Sequence, residues 1–416
     1  MIAEDVLSVL QTLEKETSRM RELVEEVCNV NSWTTNVTGV NKVRAIFRAQ
    51  FATFADQLSE PEMPDWEVVD AQGESTTVPI APALQVQMRP DARKKIFLCI
   101  HLDTVYPPDH ELQECREIQP GLLNGPGVID AKGGAVIMLF ALQAFEKHAA
   151  AKNIGWEVIL NTDEEIGSPS SGEFLKSRAR GCELGLLFEP ALPDGTLVDR
   201  RKGSANYSVI VRGISAHAGR DFEKGRNAIA LAAKLASELH DLNAVHEEVT
   251  INVSKIDGGG PTNVVADLGI VRVNIRVGNQ QQQEWVEREM ATKVDDYNSR
   301  EGFSCQLHGA FFSPPKNLDA RGQTLKSQIE TSARDLGLDI GWRSTGGVSD
   351  GNKLAAIDVP NIDTLGARGD HMHNPREYLI LDSLVERAKL TTLLMIRYAT
   401  GEFALESPLP LEKEKE

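Results

Sequence analysis

The pattern of apolar and polar positions in the first half of the chain predicts alternating strands and helices. Short apolar runs at 95–100, 156–160 and 184–188 are typical of buried strands. Between the first two runs lies AVIMLFALQAF (135–145), which is apolar on nearly all faces and therefore predicts a buried helix. A further helix is expected at 171–179. This alternation predicts an α/β fold with a mostly parallel sheet flanked by helices.

The pattern changes from residue 197 onwards. Strictly alternating positions in SANYSVIVRG predict a half-buried strand, and the elements that follow give the order β-α-β-β-α-β of a ferredoxin-like module. After FFSPPKN (311–317), α/β material returns and ends in a long amphipathic helix. We therefore expect a discontinuous domain of 1–196 and 314–416, interrupted by an inserted domain of 197–313. One amphipathic helix is expected at 3–29.

Composition narrows the classes of partner and the compartment. A chain of 416 residues exceeds the usual size of one core, and its net charge of −17 disfavours nucleic acid and anionic membranes as partners. No apolar run approaches the length of a membrane span. The five cysteines form no C-x-x-C pair, and the amino terminus is acidic where a signal peptide would be basic. These features predict a cytoplasmic protein. The tail at 407–416 is expected to be frayed.

Acidic and imidazole side chains follow the predicted strands. In an open α/β sheet, reactive groups gather beyond the carboxyl ends of the strands. Such a group would be a metal site or a costly cluster of like charge, although Asp130 could instead cap the helix that follows it. The side chains concerned are His101 and Asp103 after the first strand, Asp130 after a Gly-Pro-Gly turn, Glu164 and Glu165 after the second strand, and Glu189 after the third.

Seven motifs together give the chain a family resemblance. They occur over about residues 95–380 and resemble, in order, those of the dizinc exopeptidases, the family of G-type glutamate carboxypeptidase, acetylornithine deacetylase, succinyl-diaminopimelate desuccinylase and the aminoacylases. The motifs are HLDTV at 101, GPGVIDAKGG at 125, DEEIGS at 163, FEPA at 188, SAHAG at 215, GGGPTN at 258 and HNPREY at 373. No phosphate-binding glycine loop of the Walker or dinucleotide type is present in the sequence.

The resemblance implies a zinc exopeptidase-like fold that holds two Zn²⁺ per chain, with Co²⁺ or Mn²⁺ as substitutes. Asp130 would bridge the ions, His101 and Glu189 would bind one, and Glu165 and His373 would bind the other. His371 stays open as an alternative to His373. Zn²⁺ accepts both imidazole and carboxylate, and the carboxylates offset the charge of two neighbouring ions.

The resemblance also implies catalytic roles for two acids. Glu164 would be the general base, taking a proton from water and passing it to the leaving amine. Asp103 would accept the second ring N–H of His101 and fix its tautomer. On the residues alone, an ordinary loop carboxylate is the alternative for Asp103.

Further residues are expected to bind the substrate. His217 resembles the histidine that each subunit of a family homodimer lends to its neighbour through the inserted lid and dimerisation domain, where it stabilises an oxyanion. Arg276 and Asn263 match the family's carboxylate-binding pair, although Arg276 could also belong to a solvated sheet face. Gly346 and Gly347 would let the substrate approach the backbone, unless they form an ordinary turn.

The leading functional hypothesis is a zinc-dependent metallopeptidase that hydrolyses the amide bond next to a free α-carboxylate. It would release a C-terminal amino acid, glutamate being one candidate, from a small peptide or N-acyl conjugate. An N-acyl amino acid deacylase such as acetylornithine deacetylase shares every metal residue and is the alternative. A non-catalytic relative that binds a carboxylated ligand is a third hypothesis.

Overall fold

A six-stranded sheet forms the centre of the computed structural model, which describes residues 2–405; the predicted tail at 407–416 lies outside this range. The four strands at one side run parallel, whereas the two at the other edge are antiparallel. The predicted α/β fold class is therefore confirmed. In spatial order the strands are Gln57–Ser59, Leu84–Met88, Gly155–Asn161, Lys95–His101, Leu184–Leu187 and Asn361–Ile362.

Helices cover both faces of this sheet. On the thicker side Gly133–Phe145 packs against Asp382–Thr400, and both contact the amino-terminal helices. The single helix expected at 3–29 is wrong: Glu4–Glu14 and Thr17–Cys28 are separate helices. The amide of Glu16 bonds to the carbonyl of Leu13, which tightens the turn and redirects the chain. The other helices of this domain are Val37–Phe51, Gly172–Ala179, Ala320–Asp335 and Gly351–Ala355.

The helix at the core has an unusual composition. By length and composition Val128–Phe145 could cross a membrane, contrary to the expectation that no apolar run approaches that length. In the structure, 94% of this stretch is buried inside the protein, where it packs on the central sheet. Its hydrophobicity on all sides thus matches its position between the sheet and the outer helices.

The inserted segment forms a second sheet with a hydrophobic core of its own. Its antiparallel strands lie in the order Thr250–Gly258, Leu268–Val277, Gly203–Arg212 and Ser304–Ser313. Two helices, Ala228–Asp241 and Gln280–Asn298, pack on one face, so the chain order is β-α-β-β-α-β. We call the opposite face, which carries Asn206, Arg272, Asn274 and Arg276, the open face. Strand Leu197–Arg201 pairs instead with Trp342–Thr345. The domain boundaries stay a prediction.

A buried ion cluster ties the two connections to the inserted sheet. Arg201 and Lys316 exchange backbone hydrogen bonds of 3.0 Å. Both side chains also bind Asp363: Arg201 Nε and Lys316 Nζ each lie 2.8 Å from Asp363 Oδ2, and Ser349 Oγ donates to the same oxygen at 2.8 Å. Burial acts to raise the pKa of Asp363, but the two cations hold it below its usual value.

Several short strands have no clear sequence pattern, because two to four residues cannot establish a period. Trp66–Val69 and Ser75–Val78 form a hairpin that stands apart from the central sheet. Gly369–Asp370, Tyr378–Ile380, Leu122–Asn124 and Arg116–Gln119 form an antiparallel patch near the candidate site. Ala216–His217 pairs with Val264–Val265 at the rim of the inserted sheet.

Candidate metal centre and active site

The candidate ligands converge at the carboxyl edge of the central sheet. His101 is the last residue of its strand, Glu189 follows the neighbouring strand, and Glu165 lies in the turn after Gly155–Asn161. These three strands are adjacent and parallel, so their ends meet at one edge. The fold therefore brings these residues together although they are far apart in the sequence.

Asp130 lies between two imidazole rings. Its Oδ1 is 3.2 Å from His101 Nε2, and its Oδ2 is 3.3 Å from His373 Nε2. His373 Nε2 is also 3.1 Å from Glu165 Oε2, while Glu189 Oε2 is 4.0 Å from His101 Nε2. The two oxygens of Asp130 thus face two different histidines.

The cluster has the donor chemistry of a metal site. Ligand atoms of His101, Asp130 and Glu165 all lie within 4.8 Å of one another. The structure places His373 rather than His371 in the group, because the His371 ring packs edge-on against Tyr378. His373 has a φ of +59° and His371 one of +64°, so both histidines have a left-handed backbone and only the side-chain contacts distinguish them.

Burial makes the charged form of the acids expensive. It raises the pKa of Glu189 to about 8 and, together with the repulsion of Asp130, that of Glu165 to about 7. Burial and the nearby Glu189 raise the pKa of Glu164 well above its usual value. So dense a group of buried carboxylates stays ionised only beside compensating positive charge. Divalent cations would supply that charge.

The two histidines are stabilised in their charged form by the acids around them. Burial acts to lower the pKa of His101, but its hydrogen bonds to Asp103 and Asp130 outweigh burial and raise it well above the usual value. Hydrogen bonds to Asp130 and Glu165 raise the pKa of His373 to about 11. Burial acts to raise the pKa of Asp130, yet its bonds to the two histidines lower it. Imidazole and carboxylate therefore partly neutralise one another here.

Asp103 holds the turn that carries Glu164 and Glu165, which we call the catalytic turn after the role predicted for Glu164, as well as the histidine. His101 Nδ1 is 2.9 Å from the backbone carbonyl of Asp103 and 3.4 Å from its carboxylate. The carboxylate accepts hydrogen bonds from the amides of Glu164 and Glu165 at 3.2 and 3.3 Å and from the Thr34 hydroxyl at 2.7 Å. His101 Nδ1 thus bonds to the backbone carbonyl of Asp103, and the role of the carboxylate in fixing the ring tautomer stays a prediction; the carboxylate positions the two adjacent acids.

Glu377 is a buried acid that sequence reasoning missed. Its carboxylate accepts the Tyr106 hydroxyl at 2.6 Å and the amides of Ile129 and Asp130 at 3.0 and 3.2 Å; the Gly127 amide lies at 3.3 Å. Burial raises its pKa to about 7. Glu377 thereby fixes the turn that carries Asp130. The only signal for Glu377 in the sequence was its position within the HNPREY motif.

A cavity of about 720 Å³ opens above these acids. Asp130, Glu164, Glu165, Glu189 and His373 line one side, and Arg276, on the open face of the inserted sheet, lines another. Within residues 2–405 the Arg276 Nη1 atom is buried without a hydrogen-bond partner, and burial lowers the pKa of this guanidinium. A polar group in this state is suited to an anionic ligand.

Of the other residues predicted to bind the substrate, one lines the cavity and the rest lie outside it. Gly347 lines the cavity, whereas Gly346 lies outside its wall. His217 and Asn263 are exposed at the rim of the inserted sheet, also outside this cavity. They are close together, since the Ala218 amide donates to the Asn263 carbonyl at 2.9 Å and His217 pairs with Val264. The structure of one chain therefore does not bring them to its own acids.

Fold and site together define a class of protein. A cluster of imidazole and carboxylate ligands beside a further acid, at the edge of a mostly parallel α/β sheet, is the arrangement of a metal-dependent hydrolase. The family model for peptidase family M20/M25/M40 matches residues 97–397. The chain belongs to this family. It is a metal-dependent hydrolase that acts on amide bonds.

Individual relatives are distant. Carboxypeptidase G2 of Pseudomonas sp. (strain RS-16) is 21% identical over 95% of this chain and 92% of its own length. Succinyl-diaminopimelate desuccinylase of Verminephrobacter eiseniae (strain EF01-2) is 27% identical over 73% of this chain and 79% of its own. Both relatives match most of the chain, but their sequence identities are too low to assign the substrate of this hydrolase.

Solved structures show the same fold. A tripeptidase from Staphylococcus aureus gives a TM-score of 0.71 at 22% identity over 92% of this chain and 99% of its own. The YXEP protein of Bacillus subtilis, described as a dinuclear metal-binding peptidase of the M20 family, gives 0.62 at 13% identity over 93% and 99%.

Replacing Glu377 tests whether it prepares the metal centre. In Glu377→Gln, an amide NH₂ replaces one oxygen, so part of the 127–130 turn or the Tyr106 hydroxyl loses its acceptor. We expect Zn²⁺ affinity to fall about 10- to 100-fold, the usual effect of losing a group that orients a ligand. Titration with zinc against a competing chelator measures this. Glu386→Gln, which alters an acid paired with Arg368, is the control; equal affinities in all three proteins would contradict the role.

Proposed function

We propose that this hydrolase is a carboxypeptidase that uses two Zn²⁺ per chain to release a C-terminal amino acid from a small peptide or N-acyl conjugate. One observation carries the proposal: the buried Arg276 Nη1, which lacks a partner within residues 2–405, lines the same cavity as the acid cluster. A guanidinium binds a carboxylate through parallel charge-assisted hydrogen bonds. A free α-carboxylate held there would present the adjacent amide to the acids.

The ligand set fits two ions. His101 and Glu189 would hold one, Glu165 and His373 the other, and Asp130 would lie between them, in keeping with its contacts to both rings. When bound, zinc polarises a substrate carbonyl and lowers the pKa of water. The family relative from Bacillus subtilis, described as dinuclear, supports this count.

Glu164 is the proposed general base. Its carboxyl lines the cavity beside the ligands, and the Asp103 carboxylate holds its backbone amide in place. Burial favours the protonated carboxyl and so raises its proton affinity. Glu164 would take a proton from the attacking water and deliver it to the leaving nitrogen, which must gain a proton to depart as an amine.

Deacylation of an N-acyl amino acid is the second candidate. The desuccinylases among the relatives support it, and it needs the same ligands, base and carboxylate-binding arginine. The two candidates differ in the acyl portion of the substrate. The hypothesis of a non-catalytic relative loses its support, because the chain belongs to a hydrolase family and keeps Glu164 and all five proposed ligands.

A substrate panel tests the proposed activity. We expect dipeptides and aromatic N-acyl glutamates to give kcat/KM values at least about 10-fold above those of N-acetylornithine and other acetylated basic amino acids. Carboxamide versions should lose about 10- to 100-fold, since a hydrogen bond to a charged group contributes about 1.5–3 kcal/mol. Amino acid release measured by chromatography gives the rates. Faster turnover of the acetylated basic amino acids would favour the deacylase.

Replacing the base separates chemistry from metal binding. Glu164→Gln keeps the shape of the side chain but removes its basic oxygen, so kcat should fall by about 10²- to 10⁴-fold. Zinc content measured by elemental analysis should equal that of the native protein, because Glu164 is not a proposed ligand. Glu173→Gln, at an exposed position on the next helix, is the control. A near-native kcat for Glu164→Gln would remove this residue from its role.

We also propose that the chain forms a homodimer through the inserted domain and that His217 and Asn263 complete the partner's site. Their position supports this arrangement: both are exposed at the rim of the inserted sheet and outside the cavity of their own chain. His217 would then donate a hydrogen bond to the developing oxyanion in the neighbouring cavity, and Asn263 would contact the substrate carboxylate there.

Mixing two inactive variants tests the shared site. His217→Ala and Glu164→Gln should each be inactive, yet an equal mixture should recover about a quarter of native activity. Half of the exchanged dimers are mixed, and each mixed dimer contains one intact site. Activity is measured after subunit exchange has been verified by native mass spectrometry. The control is a dimer in which each chain carries both Glu164→Gln and His217→Ala. No recovery in verified mixed dimers would contradict the arrangement.

A further inference from the structure

A second cavity of about 690 Å³ adjoins the catalytic cavity. The two share Ile166, Asn206 and Asn274 in their walls. Ile166 directly follows the acids Glu164 and Glu165, so the second cavity begins beside the catalytic turn. It is nearly as large as the first, and the proposed catalytic step does not use it.

The hairpin of 66–78 closes the second cavity. Its tip is bound to the inserted sheet: Arg272 Nη2 donates to the Asp70 carbonyl at 2.9 Å, and Arg212 Nη2 donates to the Gly73 carbonyl at 3.2 Å and to Glu74 at 2.6 Å. An isolated two-stranded hairpin is marginally stable. These bonds therefore hold the hairpin over the open face of the inserted sheet.

Part of the wall of this cavity is apolar and aromatic, so an uncharged ring can pack there. Trp66, Ile166, Pro169 and Phe312 line it, beside polar residues such as Ser254 and His308.

The charged groups nearby do not favour an anion. The Arg272 guanidinium is already bound to Asp257 at 2.8 Å, to Ser208 at 3.2 Å and to the hairpin. Asp65 and Glu67 lie in the wall, and among the described residues neither has a hydrogen-bond or ion-pair partner for its carboxylate. Both acids are exposed, so they repel an anionic group such as succinyl only weakly, but they offer it no counter-charge.

Size supports the same ligand class. A cavity of about 300–1,000 Å³ is typical for a drug-sized ligand, whereas an acetyl group fills a small part of such a space. Aromatic rings bury a large area against apolar walls and pack well against Trp and Phe.

We propose that the second cavity receives the acyl side of the substrate and selects a large, uncharged acyl group that carries an aromatic ring. The inference rests on the proposed function, because it assigns the carboxylate of the substrate to Arg276. Arg276 and Asn274 are two residues apart on the open face, so one of the three residues shared by both cavities lies next to the proposed carboxylate-binding group. The substrate would extend from Arg276 past the acids into the space under the hairpin.

The test uses one amino acid, the one that the substrate panel releases fastest, with four acyl groups: acetyl, succinyl, benzoyl and 2-naphthoyl. Native protein should give kcat/KM values for benzoyl and naphthoyl at least about 10-fold above those for acetyl and succinyl. Ser75→Trp places a ring in the cavity from the hairpin and should lower the naphthoyl-to-acetyl ratio of kcat/KM at least 5-fold. Gln72→Trp is the control, since this exposed residue at the tip of the hairpin lies outside the cavity wall; its ratio should stay within twofold of native.

The outcomes separate the inference from the proposed function. No turnover of any acyl amino acid or dipeptide would overturn both. Native turnover of acetyl and succinyl conjugates as fast as naphthoyl would overturn the inference alone, as would an unchanged ratio in folded Ser75→Trp. If thermal melting shows that Ser75→Trp does not fold, Trp66→Ala replaces it. Removal of this apolar wall should also lower the naphthoyl-to-acetyl ratio, and an unchanged ratio would overturn the inference.

Discussion

The repulsion among acids gathered at one edge of the central sheet is the constraint on which the site depends. Two carboxylates 4 Å apart repel one another by about 4 kcal/mol at an effective dielectric constant of 20. Here Asp130, Glu164, Glu165 and Glu189 share one cavity. His101 and His373 offset part of this charge through Asp130 and Glu165, and divalent cations would offset the rest. Such an arrangement persists only if the fold holds each acid in place against the repulsion.

Buried acids outside the proposed ligand set hold the ligands in position. The carboxylate of Asp103 binds the amides of the catalytic turn, and that of Glu377 binds the amides of the Asp130 turn. In both places an acceptor that is not a proposed ligand satisfies backbone donors that would otherwise be buried without partners. The side chains of the turns are thereby aimed at a common point, and the backbone strain at His373 is held by its surroundings.

Regular elements and strand ends could be predicted from the sequence because both leave local patterns. The buried helix, the β-α-β-β-α-β order and the acids after each strand follow from periodicity and from the position of parallel strand ends. Glu377 could not be found this way, since its role depends on amides about 250 positions earlier in the chain. The same holds for the hairpin, whose contacts are with arginines about 140 and 200 residues away. The break in the first helix depends on one turn that periodicity does not reveal.

The position of Arg276 above the acids depends in turn on Asp363. The chain enters the inserted sheet after Arg201 and leaves it before Lys316, and both side chains bind this one carboxylate. Removing one partner of a buried ion pair typically destabilises a protein by about 3–5 kcal/mol, because the remaining charge stays buried. The two connections to the inserted sheet, at Arg201 and Lys316, are therefore held together at Asp363. Any movement of the open face relative to Glu164 must then arise within the inserted segment, between Gly203 and Ser313. A second link at the far end, the hairpin bound by Arg212 and Arg272, limits that movement. The open face is thus held at two places, with Arg276, whose Nη1 has no hydrogen-bond partner within residues 2–405, between them.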